Sequence, residues 1–209
     1  MLRGIKMKRL NPKDLSKRQN YKLLSGSVIP RPIAFVTTKD SSGNVNAAPF
    51  SFFNVVNSAP PMIMISTGRN NGQRKDTSLN IEETENFVVH ITDSDNVEDV
   101  NSTAAPIARE QNEIERTQME LIDSTVVDAP SVKHAKVRME CKLDRLIQLG
   151  DELEGSDLII GEVVMFHIDD QVYFEDSKIN AEALQPIARL SGNDYARLGD
   201  KFTIERPTE

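Results

Sequence analysis

The chain has 209 residues, 38% of them hydrophobic, with no Trp, three Tyr and a formal net charge of -7. That length suits one domain of ordinary to large size, no apolar run approaches the roughly 20 residues of a membrane span, and the acidic balance disfavours nucleic acid as a partner, the basic residues being dispersed apart from short clusters such as Lys6–Arg9 and Arg74-Lys75. The single cysteine, Cys141, excludes an internal disulfide framework and points to a reducing compartment, with the cytoplasm as the default.

Residues 1–10 read as an N-terminal extension, basic and without the apolar stretch of a secretory signal, and residues 11–209 as one domain. Asn11-Pro12 is a helix-start pair, so a short helix is expected across Asn11–Leu24. Pro32–Thr38 reads as a β run, Lys39–Asn44 as a turn and Val45–Phe53 as the returning strand of a hairpin. Pro60-Pro61 separates this from a short apolar strand, Met62–Ser66, and Thr67–Arg74 reads as a polar loop. A helix is expected to begin at Asp76, whose carboxylate is a capping group, and to end near Asn86. Phe87–Thr92 is a further strand, while Asp95–Thr103 and Arg109–Leu121 have helical compositions interrupted at Ala105-Pro106.

Val137, Met139, Cys141 and Leu143 alternate within Val132–Leu149, and a turn over Gly150–Ser156 leads into the apolar Leu158–Ile168. This is the longest hairpin signal in the chain. A strand candidate at Val172–Phe174 follows, and Pro186–Leu190 and Tyr195–Phe202 flank the turn residues Ser191–Asp194. Successive hairpins without a β-α-β rhythm predict a mainly β fold with peripheral helices, an antiparallel barrel in place of a doubly wound sheet.

No dinucleotide glycine fingerprint, P-loop, zinc-protease helix, paired-cysteine motif or serine elbow is present. His90, His134 and His167 stand singly on β candidates, which predicts satisfied or surface imidazoles and no metal site. Cys141 lies in phase with Val137 and Met139, as a small buried hydrophobe would, and no catalytic side chain is expected.

Two stretches stand out. In Asn46-Ala47-Ala48-Pro49-Phe50-Ser51-Phe52, small residues let a flat ligand approach the backbone, and Pro49 cannot donate to a ladder, so neighbouring backbone groups are left free. An edge strand with a bulge has the same composition. In Arg74-Lys75-Asp76-Thr77 followed by Asn80, cations and hydroxyls gather at a helix start, which suits a phosphate. Asp76 would repel that phosphate unless it is spent on capping, and a capped, solvated turn is the competing reading.

Arg31-Pro32-Ile33-Ala34-Phe35-Val36-Thr37-Thr38, the Gly43-Asn44 turn, Asn46–Phe53, Arg74-Lys75-Asp76-Thr77…Asn80 and the tail Ala188-Arg189-Leu190-Ser191-Gly192-Asn193-Asp194-Tyr195 together resemble the flavin reductase-like family of FMN-binding split barrels, which includes flavoredoxins. The resemblance implies an antiparallel split β-barrel homodimer carrying FMN. The ring would lie against Asn46–Phe53 beside Arg31, Pro32 and Ile33, the phosphate near Arg74–Thr77, and the tail around Arg189–Tyr195 would close over the site or meet the partner subunit. It further implies hydride transfer from NAD(P)H to flavin N5, a positioning task that needs no side-chain base. Backbone N–H groups of Ala47–Ser51 would stabilise the charge on the reduced ring. Asn96–Leu121 departs most from a core pattern and is expected to shape substrate access. A flavoredoxin-type carrier or ferric reductase keeps the same fold and cofactor, and a non-catalytic flavin-binding protein is the reading of a different class.

Overall fold

The structure, a computed structural model, describes residues 6–109 and 111–207, so residues 1–5, half of the N-terminal extension, lie outside it. Asn11 does start a helix, but only one 3-10 turn, Pro12–Asp14, before Ser16 opens α1 (Lys17–Ser27). The Ser16 hydroxyl accepts the Gln19 N–H and the Gln19 side chain returns to the Ser16 N–H, a reciprocal cap that sets the start of α1.

The strands are β1 (Arg31–Pro32), β2 (Ala34–Lys39), β3 (Val45–Phe50), β4 (Phe53–Ser58) and β5 (Pro61–Gly68); after α2 (Asp76–Thr84) comes β6 (Asn86–Ile91). Beyond α3 (Val97–Ser102) lie β7 (Leu121–Ile122), β8 (Ser131–Val132), β9 (Val137–Leu149) and β10 (Ser156–Ile168). The chain closes with β11 (Tyr173–Phe174), β12 (Lys178–Ile179), α4 (Ala181–Leu184), β13 (Ile187–Arg189) and β14 (Tyr195–Arg197). Seven strands form one antiparallel sheet in the order β3-β2-β6-β9-β10-β5-β4, and β1-β13-β14 form a second. The large sheet curls until β3 touches β5 without pairing to it, a barrel left unzipped along one seam. No helix among the described residues is long and apolar enough to cross a membrane.

The predicted hairpins are present, with Val36 opposite Ala48 and the long pair β9–β10 running from Val137↔Ile168 to Leu149↔Ser156 with register shifts at Ile160/Gly161 and Val163/Met165. Val45–Phe53, expected as one strand, is two. β3 ends at Phe50, and the bend at Ser51-Phe52 lets Phe53 turn into the core and start β4, at the other end of the sheet. Arg109–Leu121, expected as helical, holds among its described residues no α-helix, only the 3-10 turn Glu113–Arg116 and, at Leu121, the start of β7. Its Ile114, Met119 and Leu121 pack on Phe35, Ala47 and Val100 one by one, with a spacing that makes no helical stripe.

The core inside the barrel is aliphatic and Phe-based: Val36, Ile63, Ile65, Ile81, Phe87, Val89 and Ile159 are all buried, and Cys141 among them has its thiol pKa pushed up by burial. Gly161 on β10 sits where a Cβ would lie 2.3 Å from the Phe87 ring, so the small residue is what lets that ring fill the centre. His90 is a satisfied core imidazole. Its Nε2 accepts the Val132 N–H at 2.9 Å, so the proton is on Nδ1, which donates to the Phe35 carbonyl at 3.0 Å, and burial holds its pKa down at about 4.

Candidate functional site

α2 is a nine-residue helix laid across the open end of the barrel, pinned there by a buried polar network. Asn46 on β3 donates to Thr77 Oγ1 at 2.8 Å and to Thr38 Oγ1 at 3.3 Å, and Asn80 donates to the same Thr38 oxygen at 3.1 Å. At the next residue, the Ser78 hydroxyl bonds that of Thr67 on β5 at 2.5 Å. These groups tie the first two turns of α2 to the β2–β3 hairpin and to β5, so the two stretches singled out in the sequence become neighbours.

Between them opens a cavity of about 430 Å³, walled by Asn46 and Ala48–Phe50 of β3, by Arg74–Thr77 at the start of α2, and by residues 103–107 with Glu113. A second cavity of about 190 Å³ is lined by Ile33, Pro49, Ser51, Arg189, Tyr195 and Tyr21 with Asn101 and Ala104. Pro49 and Ala104 line both cavities, so they form one cleft with a helix start at one end and the tail at the other.

The helix end differs from expectation in its chemistry. Lys75, not Asp76, is the N-cap residue, and among the described residues no side chain caps α2. Asp76 instead faces Arg109, whose guanidinium bonds the Asp76 carboxylate at 3.0 Å and Asn80 Oδ1 at 3.0 Å. The repulsion that Asp76 offers an anion is thereby offset by a cation that the sequence left in an anonymous segment. Arg74 is committed elsewhere: Nε bonds Asp157 at 2.6 Å and Nη1 bonds Glu82 at 2.5 Å. Lys75 is exposed at the rim. Arg74 and Lys75 both line the cavity, Arg74 with its buried Nη2 left without a partner among the described residues, and Arg109 stands beside them as the partner of Asp76.

Asp157, 1% exposed at its side chain, also holds Arg69 at 3.0 Å. Burial would raise its pKa, but the bonds from Arg74 and Arg69 outweigh that and hold it below the usual carboxylate range.

The backbone edge of β3 is also less free than expected. Ala47 donates its N–H to Glu113 Oε2 at 2.9 Å, pointing away from β2. Alternation along the strand turns Pro49 the same way, and Pro has no N–H to offer, so β3 presents no second outward donor before it ends at Phe50. Ala47 is wholly buried beneath the cleft.

Arg31 is a clamp instead of a wall. It is buried, and its guanidinium donates to the carbonyls of Ser25 and Val28 at 2.5 Å each and of Leu190 at 2.6 Å, fastening the end of α1 to the tail. Pro32 is exposed, and Phe52 lies under Arg31 and beside Tyr21, the two rings 6.4 Å apart. Asn80 works from below, as the partner of Thr38 and Arg109. Arg189 stacks on Tyr195 at 4.5 Å and bonds its hydroxyl, which donates in turn to Asn101 Oδ1 at 2.9 Å; the tail is thus latched to α3.

Sequence reading missed Thr38, Arg69, Arg109, Glu113 and Asp157. Asp157 on an apolar strand was the available signal, since a charge in such a run is buried only when paired. Arg109 and Glu113 gave none.

Comparison with known proteins places this arrangement in context. The family profile described as "Flavin reductase like domain" matches residues 25–183. The protein YwrF of Bacillus subtilis (strain 168) is 50% identical over 198 residues, covering 93% of this chain and 97% of that one. The crystal structure of nitrilotriacetate monooxygenase component B from Bacillus cereus superposes with a TM-score of 0.93 at 45% identity, over 96% of this chain and 100% of the other. That of the 2-nitrobenzoate 2-nitroreductase NbaA from Pseudomonas fluorescens gives 0.86 at 32% identity, over 96% and 97%.

Proposed function

The chain belongs to the flavin reductase-like family of split-barrel flavin oxidoreductases, and from that premise we propose that it binds FMN and passes electrons from NADH or NADPH to an acceptor. The observation that carries the proposal is the single cleft joining an uncapped helix start to the Pro-interrupted edge of β3. The residues fit the group. At one end, unpaired N–H groups of α2 with Lys75 and Arg109 suit a phosphate; at the other, Ala48 and Pro49 give a flat, small-residue wall on which a ring can lie. Bound there, the flavin would supply the two-electron acceptor that this chain's side chains lack.

The chain's own part is positioning. Arg31 fixes the tail, Arg189 and Tyr195 latch it to α3, and the cleft is thereby bounded on the side where a second ring would enter. The Ser51 N–H is the donor we assign to the electron-rich edge of the ring.

Titration of the purified protein with FMN is expected to give saturable binding at micromolar concentrations, and anaerobic NADH or NADPH to bleach the bound flavin, with colour returning on addition of an acceptor. No binding would remove the flavin reading. Binding without bleaching by nicotinamide, while dithionite bleaches at once, would replace the reductase by an electron carrier.

We also propose a homodimer. β4 is the free edge of the large sheet, its Val55 and Val56 are 71% and 48% exposed, and Tyr21, Leu24, Val28 and Ile29 of α1 and its exit lie exposed on the side where Tyr21 meets Phe52. An unpaired edge beside apolar side chains is a surface that a second copy covers. Light scattering should return twice the 23.4 kDa of one chain; a single-chain mass at working concentration contradicts it.

A further inference from the structure

Glu113 has no role in the reading above, yet it is the buried carboxylate of the cleft. It is 8% exposed, held by the 3-10 turn Glu113–Arg116, and its Oε2 accepts the Ala47 N–H at 2.9 Å. Its own backbone N–H also bonds the carboxylate, no other residue's donor reaches the second oxygen among the described residues, and the residue lines the larger cavity. Burial, joined by the nearby Asp76 charge, raises its pKa against the two backbone N–H bonds that lower it. The oxygen facing the cavity has room to accept a further donor from a molecule bound there.

Position narrows the donor. Glu113 lines the larger cavity with the start of α2 and is absent from the smaller one, where Ser51, Arg189 and Tyr195 sit. It is fastened to Ala47, two residues before the Pro49 that lines both cavities. It therefore stands between the helix start and the ring end. A phosphate offers no proton at neutral pH and would repel a carboxylate, whereas a polyhydroxyl chain running between the two ends offers several O–H donors.

We infer that Glu113 binds the ribityl chain of the flavin, accepting a hydroxyl proton on the oxygen that Ala47 leaves free. This rests on the flavin reading of the cleft. The bond is charge-assisted and of the stronger class, and it fixes the chain joining phosphate to ring, so the residue positions the ring without touching it.

The test compares three ligands on the intact protein by equilibrium titration: FMN, riboflavin, which lacks the phosphate, and lumiflavin, which lacks the hydroxylated chain. Glu113→Ala is expected to weaken FMN and riboflavin on the order of tenfold or more and lumiflavin by less than about twofold. Glu113→Gln, which keeps an oxygen for the Ala47 N–H, should fall between the wild type and Glu113→Ala for the first two ligands, a neutral bond being roughly half as strong. It also carries the test if the Ala variant does not fold. Equal losses for all three ligands would overturn the inference, because Glu113 would then act on the ring or on the fold; unchanged riboflavin affinity in both variants would overturn it as well. If the wild type bound none of the three, the flavin reading itself would fall and this inference with it.

Discussion

Asp157→Ala is expected to destabilise the protein by about 3–5 kcal/mol at neutral pH, the cost of leaving buried charges without their partner. The carboxylate is shared by Arg69 at 3.0 Å and Arg74 at 2.6 Å, and the Arg69 and Arg74 side chains are only 8% and 17% exposed. Removing it strands two guanidinium groups behind the helix start, with Glu82 left as the partner of Arg74 alone. The pH dependence follows from the sign of the shift. The folded carboxyl is held below its unfolded value of about 4, so its contribution is complete above that pH and is lost as pH falls through the lower folded value. Urea unfolding at pH 7 and along a series from about pH 5 to pH 2 should show the wild type losing stability on the acid limb, and Asp157→Asn flattening that limb as well as lowering the plateau. A wild-type curve whose acid limb matches that of Asp157→Asn would mean that the pair contributes nothing.

Replacing Lys75 and Arg109 together by Ala should weaken FMN on the order of a hundredfold, about 3 kcal/mol, and riboflavin by no more than about threefold. Charge-assisted bonds to phosphate supply the difference, and the figure is set near the low end because Lys75 is exposed and partly screened. Part of the Arg109 effect is indirect: without it Asp76 faces the phosphate uncompensated. Arg74→Ala should cost stability as well as FMN affinity, since Nε and Nη1 are bonded to Asp157 and Glu82 while Nη2 has no partner among the described residues and the residue lines the cavity. The contrast is measured by parallel fluorescence titrations with the two flavins, and the FMN loss should shrink as salt rises. Equal losses for FMN and riboflavin would make the cluster a solvated surface turn.

The sequence by itself determined the fold class and the neighbourhood of the site. Period-two alternation along Val137–Leu143 and the apolar run Leu158–Ile168 can be satisfied only by a long antiparallel pair, and Pro49 in a small-residue strand marks an edge wherever the strand lies. The helix start at residues 75–77 was legible in place but not in chemistry: the acid expected to cap it bonds Arg109, and the Thr77 and Ser78 hydroxyls bond Asn46 and Thr67. Tertiary structure alone decided which charges are available. Arg74 and Lys75 are adjacent in sequence, yet Asp157, 83 residues from Arg74, occupies one and leaves the other free. The cation that faces Asp76 is Arg109, 33 residues away, in a segment whose composition suggested a helix that does not form. Glu113 reaches Ala47 across 66 residues and takes the N–H that local reading had left to a ligand. Local patterns report the backbone's own preferences, whereas the partner of a charge or of a strand's outer edge is chosen by packing, which the chain does not encode at any fixed spacing.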